Sequence, residues 1–476
     1  MNIKQQAISG AKWTTVATIT TAVVQILRLS ILTRFLEKSD FGIVAILTFI
    51  LGLTNTFADL GFSAAIMHKT ELSRREFSSL YWIQFFLFLV LFVVGSLFSP
   101  LIANFYEEGA IVYLLPIVLL DLVFNGLGRL YDTILQKEMC FRIIAIRNIV
   151  SSLVSLLFAY ILAVLGYGIY SLILSTLLNT FILNIWNFIS GQKHVKIKLT
   201  VSVRESIPLA KIGIYQTGTQ ILDYLAAKFD VLIIGKLLGS EALGIYNLAK
   251  ELVMKVILLV NSIVNKVALP LFAKVQNDHA TLRKTYCRVI SILSRINFPI
   301  SVAICIFSAQ IIRILYGSGY NEVSEIMPIL TIWSLFICIG NPVGSIGIAT
   351  GKTNLSFAYT IVRIIITVPI VYIASTISLK AVAWSNVLMA VILFVVGWRM
   401  LLYRMIELGF LEYIASFKKQ FFVAILVGVP MFFVVHADIL NVLGNVYREI
   451  VVYGALFVIL YLLANVLIEG KSFYKL

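Results

Sequence analysis

Apolar residues in this chain come in long unbroken runs, not in the alternating or short blocks of a soluble fold. About 14 runs of roughly 20 residues can be marked, the length a helix needs to cross a bilayer. They centre in 9–35, 41–66, 78–105, 110–134, 143–166, 168–190, 207–236, 242–265, 288–314, 325–349, 355–377, 380–402, 419–436 and 446–468. Short polar segments separate them, the tightest being Gly166-Tyr167-Gly168, which fits a hairpin between neighbouring helices. The pattern predicts an all-α polytopic membrane protein.

Polar residues inside the runs are not scattered. Gln216, Gln220, Asp223 and Asp230 recur on one face of the run at 207–236. Thr14, Thr18, Thr21, Gln25 and Arg28 form a similar stripe in the first run. The two stripes share a register. Arg34-Phe35-Leu36 through Gly42-Ile43 aligns at one constant offset with Lys236-Leu237-Leu238 through Gly244-Ile245. That offset sets Thr14 against Gln216, Thr21 against Asp223 and Arg28 against Asp230. In the following runs it sets Thr48 against Lys250 and Asp59 against Asn261. A repeat of six spans starts both copies on the same side of the membrane. It therefore gives two parallel six-helix lobes related by a pseudo-two-fold axis along the membrane normal. The plan is an N-lobe over 1–190, a basic cytoplasmic linker over 191–206, a C-lobe over 207–405 and a C-terminal helix pair over 406–476.

Composition agrees with lipid as the solvent: of 476 residues, 60% are hydrophobic and 13% charged, against about half and a quarter in soluble domains. The net charge of +15 follows from basic loops. Arg74 and Arg75, Lys193 to Lys211, Arg283 and Lys284, and Lys418 and Lys419 fall on one side if the N-terminus is inside, leaving few cations outside. Both termini are then cytoplasmic, the first span is retained, and a multi-pass plasma-membrane location is expected. No basic cluster sits on a soluble domain, so no nucleic-acid partner is expected. Cys140, Cys287, Cys305 and Cys338 have no paired spacing and the histidines are dispersed, so neither a disulfide framework nor a metal site is expected.

A charge held in a span is costly and points to a wet pathway or a local partner. The residues selected as lining such a pathway are Gln25, Arg28, Asp59, Gln216, Gln220, Asp223, Asp230, Lys250 and Arg363. Asp121 and Arg295 also need partners, and Glu251 and Lys255, one helical turn apart, are placed to neutralise each other. The cations suit a diphosphate, and the acids suit coupling protons or Na⁺, or positions that orient the arginines. Gly351-Lys352-Thr353 imitates part of a phosphate-binding loop, but its glycine spacing is short by one residue and no strand precedes it, so it reads as a turn. No catalytic motif is found, no cofactor is expected, and the chain is expected not to be an enzyme.

Asp230-Val231-Leu232-Ile233-Ile234-Gly235, Leu237-Leu238-Gly239, Gly244-Ile245-Tyr246-Asn247-Leu248-Ala249, Arg34-Phe35-Leu36 with Asp40-Phe41-Gly42, and Ala268-Leu269-Pro270-Leu271-Phe272 resemble a known pattern. It is that of the Wzx-type flippases, the polysaccharide branch of the multidrug/oligosaccharidyl-lipid/polysaccharide exporter superfamily. The resemblance implies a V-shaped cavity between two lobes. It also implies alternating access and movement of an undecaprenyl-diphosphate-linked oligosaccharide, such as an O-antigen unit of lipopolysaccharide, from the inner to the outer leaflet by a monomer. The extra pair at 419–468 resembles the fourteen-helix members. Two alternatives remain open: a drug/cation antiporter of the same superfamily, and a membrane glycosyltransferase or polymerase of the same pathway.

Overall fold

In the computed structural model the described residues are 3–59, 61–69, 73–199, 203–437 and 446–469; within them, the side chains of 3–9, 11, 64, 68, 203–216, 262, 263, 265–267, 436 and 469 lie outside the description. Those residues are almost wholly helical, with no strand among them. They divide into two compact units, Met1–Gly244 and Ile245–Leu476.

The first unit contains α1 (Ile3–Leu32), α2 (Lys38–Asp59), α3 (Phe62–His68), α4 (Arg74–Leu97), α5 (Ser99–Tyr106), α6 (Ile111–Lys137), α7 (Phe141–Val164), α8 (Ile169–Gly191), α9 (Val203–Leu237) and the start of α10 (Gly239–Lys274). Its interior is built on α6, which packs against α4 and α8, while α1 lies along α7 and α9 along α2. Gly128 on α6 has no Cβ, and one there would sit 2.6 Å from the Asn184 backbone, so glycine is what lets α8 close on α6. Beneath α4, the segment after α8 is fastened down. Arg74 Nε donates to the Lys196 carbonyl (2.7 Å), Trp82 Nε1 to that of Lys198 (3.0 Å), and the Tyr131 hydroxyl to that of Val195 (3.1 Å).

The second unit continues α10 and adds α11 (His279–Ile306), α12 (Ser308–Leu315), α13 (Asn321–Gly340), α14 (Val343–Ala349), α15 (Thr353–Ser375) and α16 (Leu379–Gly397). After a π-helical turn at Trp398–Leu402 come α17 (Tyr403–Ile406), α18 (Phe410–Ala415), α19 (Lys418–His436) and α20 (Val446–Glu469). Here α13 packs between α11 and α16, and α19 rests on α11. Val423, Val427, Met431, Tyr453, Phe457 and Tyr461 of the C-terminal pair bury against Ile306 and Phe307.

Among the described residues twelve helical stretches are long and apolar enough to cross a membrane. The predicted spans at 207–236 and 242–265 fall within α9 and α10, helices of 35 and 36 residues whose side chains are described only in part. Boundaries differ in an instructive way. The run expected at 78–105 is broken at Phe98, and that at 288–314 at Phe307. Each long helix stops, and a separate helix of eight residues follows, Ser99–Tyr106 or Ser308–Leu315. Hydropathy alone does not register such a break, because both pieces are apolar. The predicted turns are present: Gly166 and Gly168 take positive φ, 80° and 52°. Lys352 stands at the N-terminal boundary of α15 and sends Nζ to the carbonyls of Arg404 (3.2 Å) and Met405 (3.1 Å).

Candidate transport-pathway residues

The first unit holds seven of the nine selected residues. On α1, Thr14, Thr18 and Thr21 return their hydroxyls to carbonyls one turn back, at 2.7 to 2.8 Å, so their hydrogen-bonding need is met inside the helix. Gln25 is exposed, and Arg28, half-buried, donates from Nη1 to Thr176 Oγ1 at 3.3 Å. On α9 the side chain of Gln216 lies outside the described residues; Gln220 is half-buried and Asp223 exposed. Asp230 is buried, with Oδ1 accepting the Val231 N–H at 3.0 Å. Tyr224 locks α9 to α2. Its hydroxyl donates to the Phe49 carbonyl (3.0 Å) and its ring stacks on Phe49, in space left by Gly52.

Asp59, at the end of α2, is buried and collects three donors: Ser63 Oγ at 2.7 Å, Gln84 Nε2 at 3.3 Å and the Arg129 guanidinium at 4.0 Å. This places it in the interior of the first unit with α4 and α6, not with Arg28.

A further polar face, on α6, lies outside the selected residues. Asp121, Asn125, Arg129, Asp132 and Gln136 follow one another along one face of α6, and that face is the polar seam of the unit. Asn125 donates to Asp121 and to Asn55 Oδ1 (3.3 Å), and Asn184 donates to Asn125 Oδ1 (3.0 Å). Asn55 completes the ring toward Asp121 at 3.5 Å. Lower on the seam Arg147 is buried. It bonds Asp132 Oδ1 at 2.9 Å and Asn148 Oδ1 at 2.9 and 3.1 Å, and it also contacts Asn187. Arg147 lies in the second turn of α7, which begins at Phe141. The repeated four-residue polar spacing in α6 was the available signal.

The second unit holds the other two. Lys250 is buried, its ammonium over the rings of Trp333 (5.4 Å) and Tyr246 (5.5 Å), and Tyr246 is held by Asn386 at 2.9 Å. Arg363, in the middle of α15 and half-buried, makes no hydrogen bond or ion pair with another described residue. Glu251 and Lys255 pair at 3.1 Å, as their spacing predicts. Asn261, the repeat partner of Asp59, is buried too and accepts from Asn297 at 3.3 Å. Among the described residues no group of three His, Cys, Asp or Glu is placed to hold a metal.

Membrane-length helices, a polar seam inside the first unit and cations held within helices define a polytopic membrane protein with a charged interior. The chain belongs to the polysaccharide biosynthesis protein family, whose profile matches residues 31–325. It is 27% identical over 432 residues to the teichuronic acid biosynthesis protein TuaB of Bacillus subtilis, covering 90% of this chain and 89% of that one. It is 25% identical over 435 residues to the lipopolysaccharide biosynthesis protein WzxC of Escherichia coli, covering 89% and 87%. Among solved structures it resembles the lipid II flippase MurJ in an inward closed conformation, with a TM-score of 0.77 at 15% identity over 96% of this chain and 99% of that one. An inward-facing multidrug resistance MATE transporter gives 0.63 at 16% identity over 81% and 98%. The fold is therefore one shared with MurJ and the MATE transporters.

Proposed function

We infer that this protein is a flippase that carries an undecaprenyl-diphosphate-linked oligosaccharide from the inner to the outer leaflet during surface polysaccharide biosynthesis. Membership of the polysaccharide biosynthesis family over residues 31–325 carries this reading. The chemistry explains why a protein is needed. A diphosphate and a row of sugar hydroxyls lose their water partners in hydrocarbon, at several kcal/mol for each unsatisfied group. Cations held in spans supply replacement partners. Arg28 and Arg363 offer planar forks to phosphate oxygens, and Lys250 a compact charge framed by aromatic rings.

On this reading the chain works by alternating access of an N-lobe (1–190) and a C-lobe (207–405), joined by the basic linker 191–206 and followed by the pair in 406–476. The contact of α9 with α2 is then where the lobes touch. Gln25, Asp59, Gln216, Gln220, Asp223 and Asp230 accompany the cations along the path, and the buried carboxylates Asp59, Asp121 and Asp230 are the positions for coupling H⁺ or Na⁺. The protein acts as a monomer without a cofactor and catalyses no covalent step. Both termini face the cytoplasm.

The test is complementation of a strain lacking this gene. Arg28→Ala and Arg363→Ala are each expected to reduce surface glycan at least tenfold, with lipid-linked precursor accumulating inside and the protein at wild-type level in the membrane. Normal glycan in both variants would remove these residues from the path.

A further inference from the structure

A cavity of about 250 Å³ lies in the second unit between α11 and the start of α19. Water occupies about 30 Å³ per molecule in the liquid, so the space is that of a headgroup and not of one ordered water. One wall is a single face of α11, Cys287, Ser291 and Arg295, each one turn from the next. The other is Ala415 and Ser416 with Lys419 and Gln420 of α19. Two cations, two hydroxyls and an amide thus converge on one half-open cavity.

The backbone adds to the same sign. Helix α19 spans 19 residues, its N-terminus has no side-chain cap, and its first turn holds no acid. Its first N–H groups and the positive end of its dipole stand beside Lys419. Glu412 and Arg283 lie close enough to Cys287 to act on it electrostatically, and Arg283 is engaged with the Glu407 carbonyl at 3.2 Å. Arg295, Lys419 and the N-terminus of α19 together favour an anion in the cavity.

The surroundings indicate how that anion arrives. The span beginning at Lys418 starts at this cavity, which sets it at headgroup level, where basic residues meet phosphates. From there the outer face of α19 is apolar and uncovered: Phe421, Phe422, Ile425, Leu426 and Val429 are each about half exposed. That is a track for an acyl chain leading away from a cationic pocket. We propose that the α11–α19 cavity binds a phosphate group, presented by a membrane phospholipid, between Arg295 and Lys419. Ser291, Ser416 and Gln420 supply neutral hydrogen bonds to it. The lipid thereby fastens α19 to α11 within the second unit. This does not depend on the transport reading.

Cys287 is a native reporter, half-buried in the wall of the cavity, and Cys140 in the first unit is its internal reference. Full-length protein in detergent is alkylated with N-ethylmaleimide, and the rate at each cysteine is read by peptide mass spectrometry. Phosphatidylglycerol, diacylglycerol or inorganic phosphate is added in separate arms. Phosphatidylglycerol is expected to slow Cys287 several-fold and leave Cys140 unchanged, while the other two have no effect. The protection disappears in Arg295→Gln/Lys419→Gln. Lys419→Gln alone, at an exposed position, weakens it several-fold and guards against misfolding of the double variant. Equal protection by inorganic phosphate would overturn the lipid as the source. Equal protection by diacylglycerol, protection that survives both variants, or none in any arm would overturn the phosphate site.

Discussion

Arg147 shows how much a single polar side chain organises when water is excluded. Its guanidinium serves Asp132, Asn148 and Asn187 at once, tying α7 to α6 and α8. A planar fork with five donors makes this possible, and a lysine cannot reproduce it. Arg147→Lys is therefore expected to destabilise the first unit by about 1–3 kcal/mol, because acceptors lose their donors. Arg147→Ala costs more, because it leaves Asp132 without its ion partner and Asn187 without a donor. Thermal unfolding of the detergent-solubilised protein checks both, and an unchanged melt for Arg147→Lys would show that charge alone suffices. Asp59 follows the same logic with the sign reversed, a carboxylate gathering Ser63, Gln84 and Arg129.

Between helices, contact depends on what is missing as much as on what is present. Gly42 of α2 and Gly244 of α10 are matched by the constant sequence offset, and each meets the first turn of the other's helix. A Cβ on Gly42 would lie 1.8 Å from the Ser240 carbonyl oxygen, and one on Gly244 1.9 Å from that of Lys38. Ser240 and Lys38 are themselves a repeat-matched pair, so the contact is reciprocal. Both obstacles are backbone, which cannot swing away as a side-chain tip can. Gly42→Ala and Gly244→Ala are each expected to reduce folded protein in the membrane severalfold, seen as lost monodispersity on size exclusion; a wild-type profile for both would show that the helix starts move apart freely. At the other end of α10, Asp278 caps α11. Its carboxylate accepts the Thr281 hydroxyl (2.6 Å) and the N–H groups of Ala280 and Thr281. The Thr281 hydroxyl, followed by its N–H, holds this carboxyl below the usual carboxylate range. A depressed value stabilises the fold above the ordinary pKa of about 3.9 and loses that contribution as pH falls through the folded value. Asp278→Ala should thus lower the melting temperature at neutral pH, with the gap to wild type closing below about pH 4. A gap independent of pH would assign the effect to something other than the cap's charge.

Across the whole molecule, orientation is the property most exposed to test. Cys140 sits between α6 and α7, next to the basic residues Lys137 and Arg142. Under the cytoplasmic assignment an impermeant maleimide labels it in inside-out vesicles and not in intact cells; labelling in intact cells would invert the topology. Much of the molecule was legible beforehand. The apolar runs mark the helices because a backbone in lipid has to satisfy its own hydrogen bonds. The Glu251–Lys255 pair followed from helical spacing, and the class followed from the family's recurrent stretches. The breaks at Phe98 and Phe307 were not legible, since hydropathy is blind to a bend between two apolar pieces. Nor were the partners of Asp59, Asp121 and Arg147 on other helices, which come from α2, α3, α4, α6 and α8. The pattern of side chains along each helix was thus determined by sequence, because a helix's periodicity is local. Which polar faces meet was decided by tertiary packing alone, because that choice depends on how closely glycine-bearing helices approach and on which donors are then left to satisfy a buried charge.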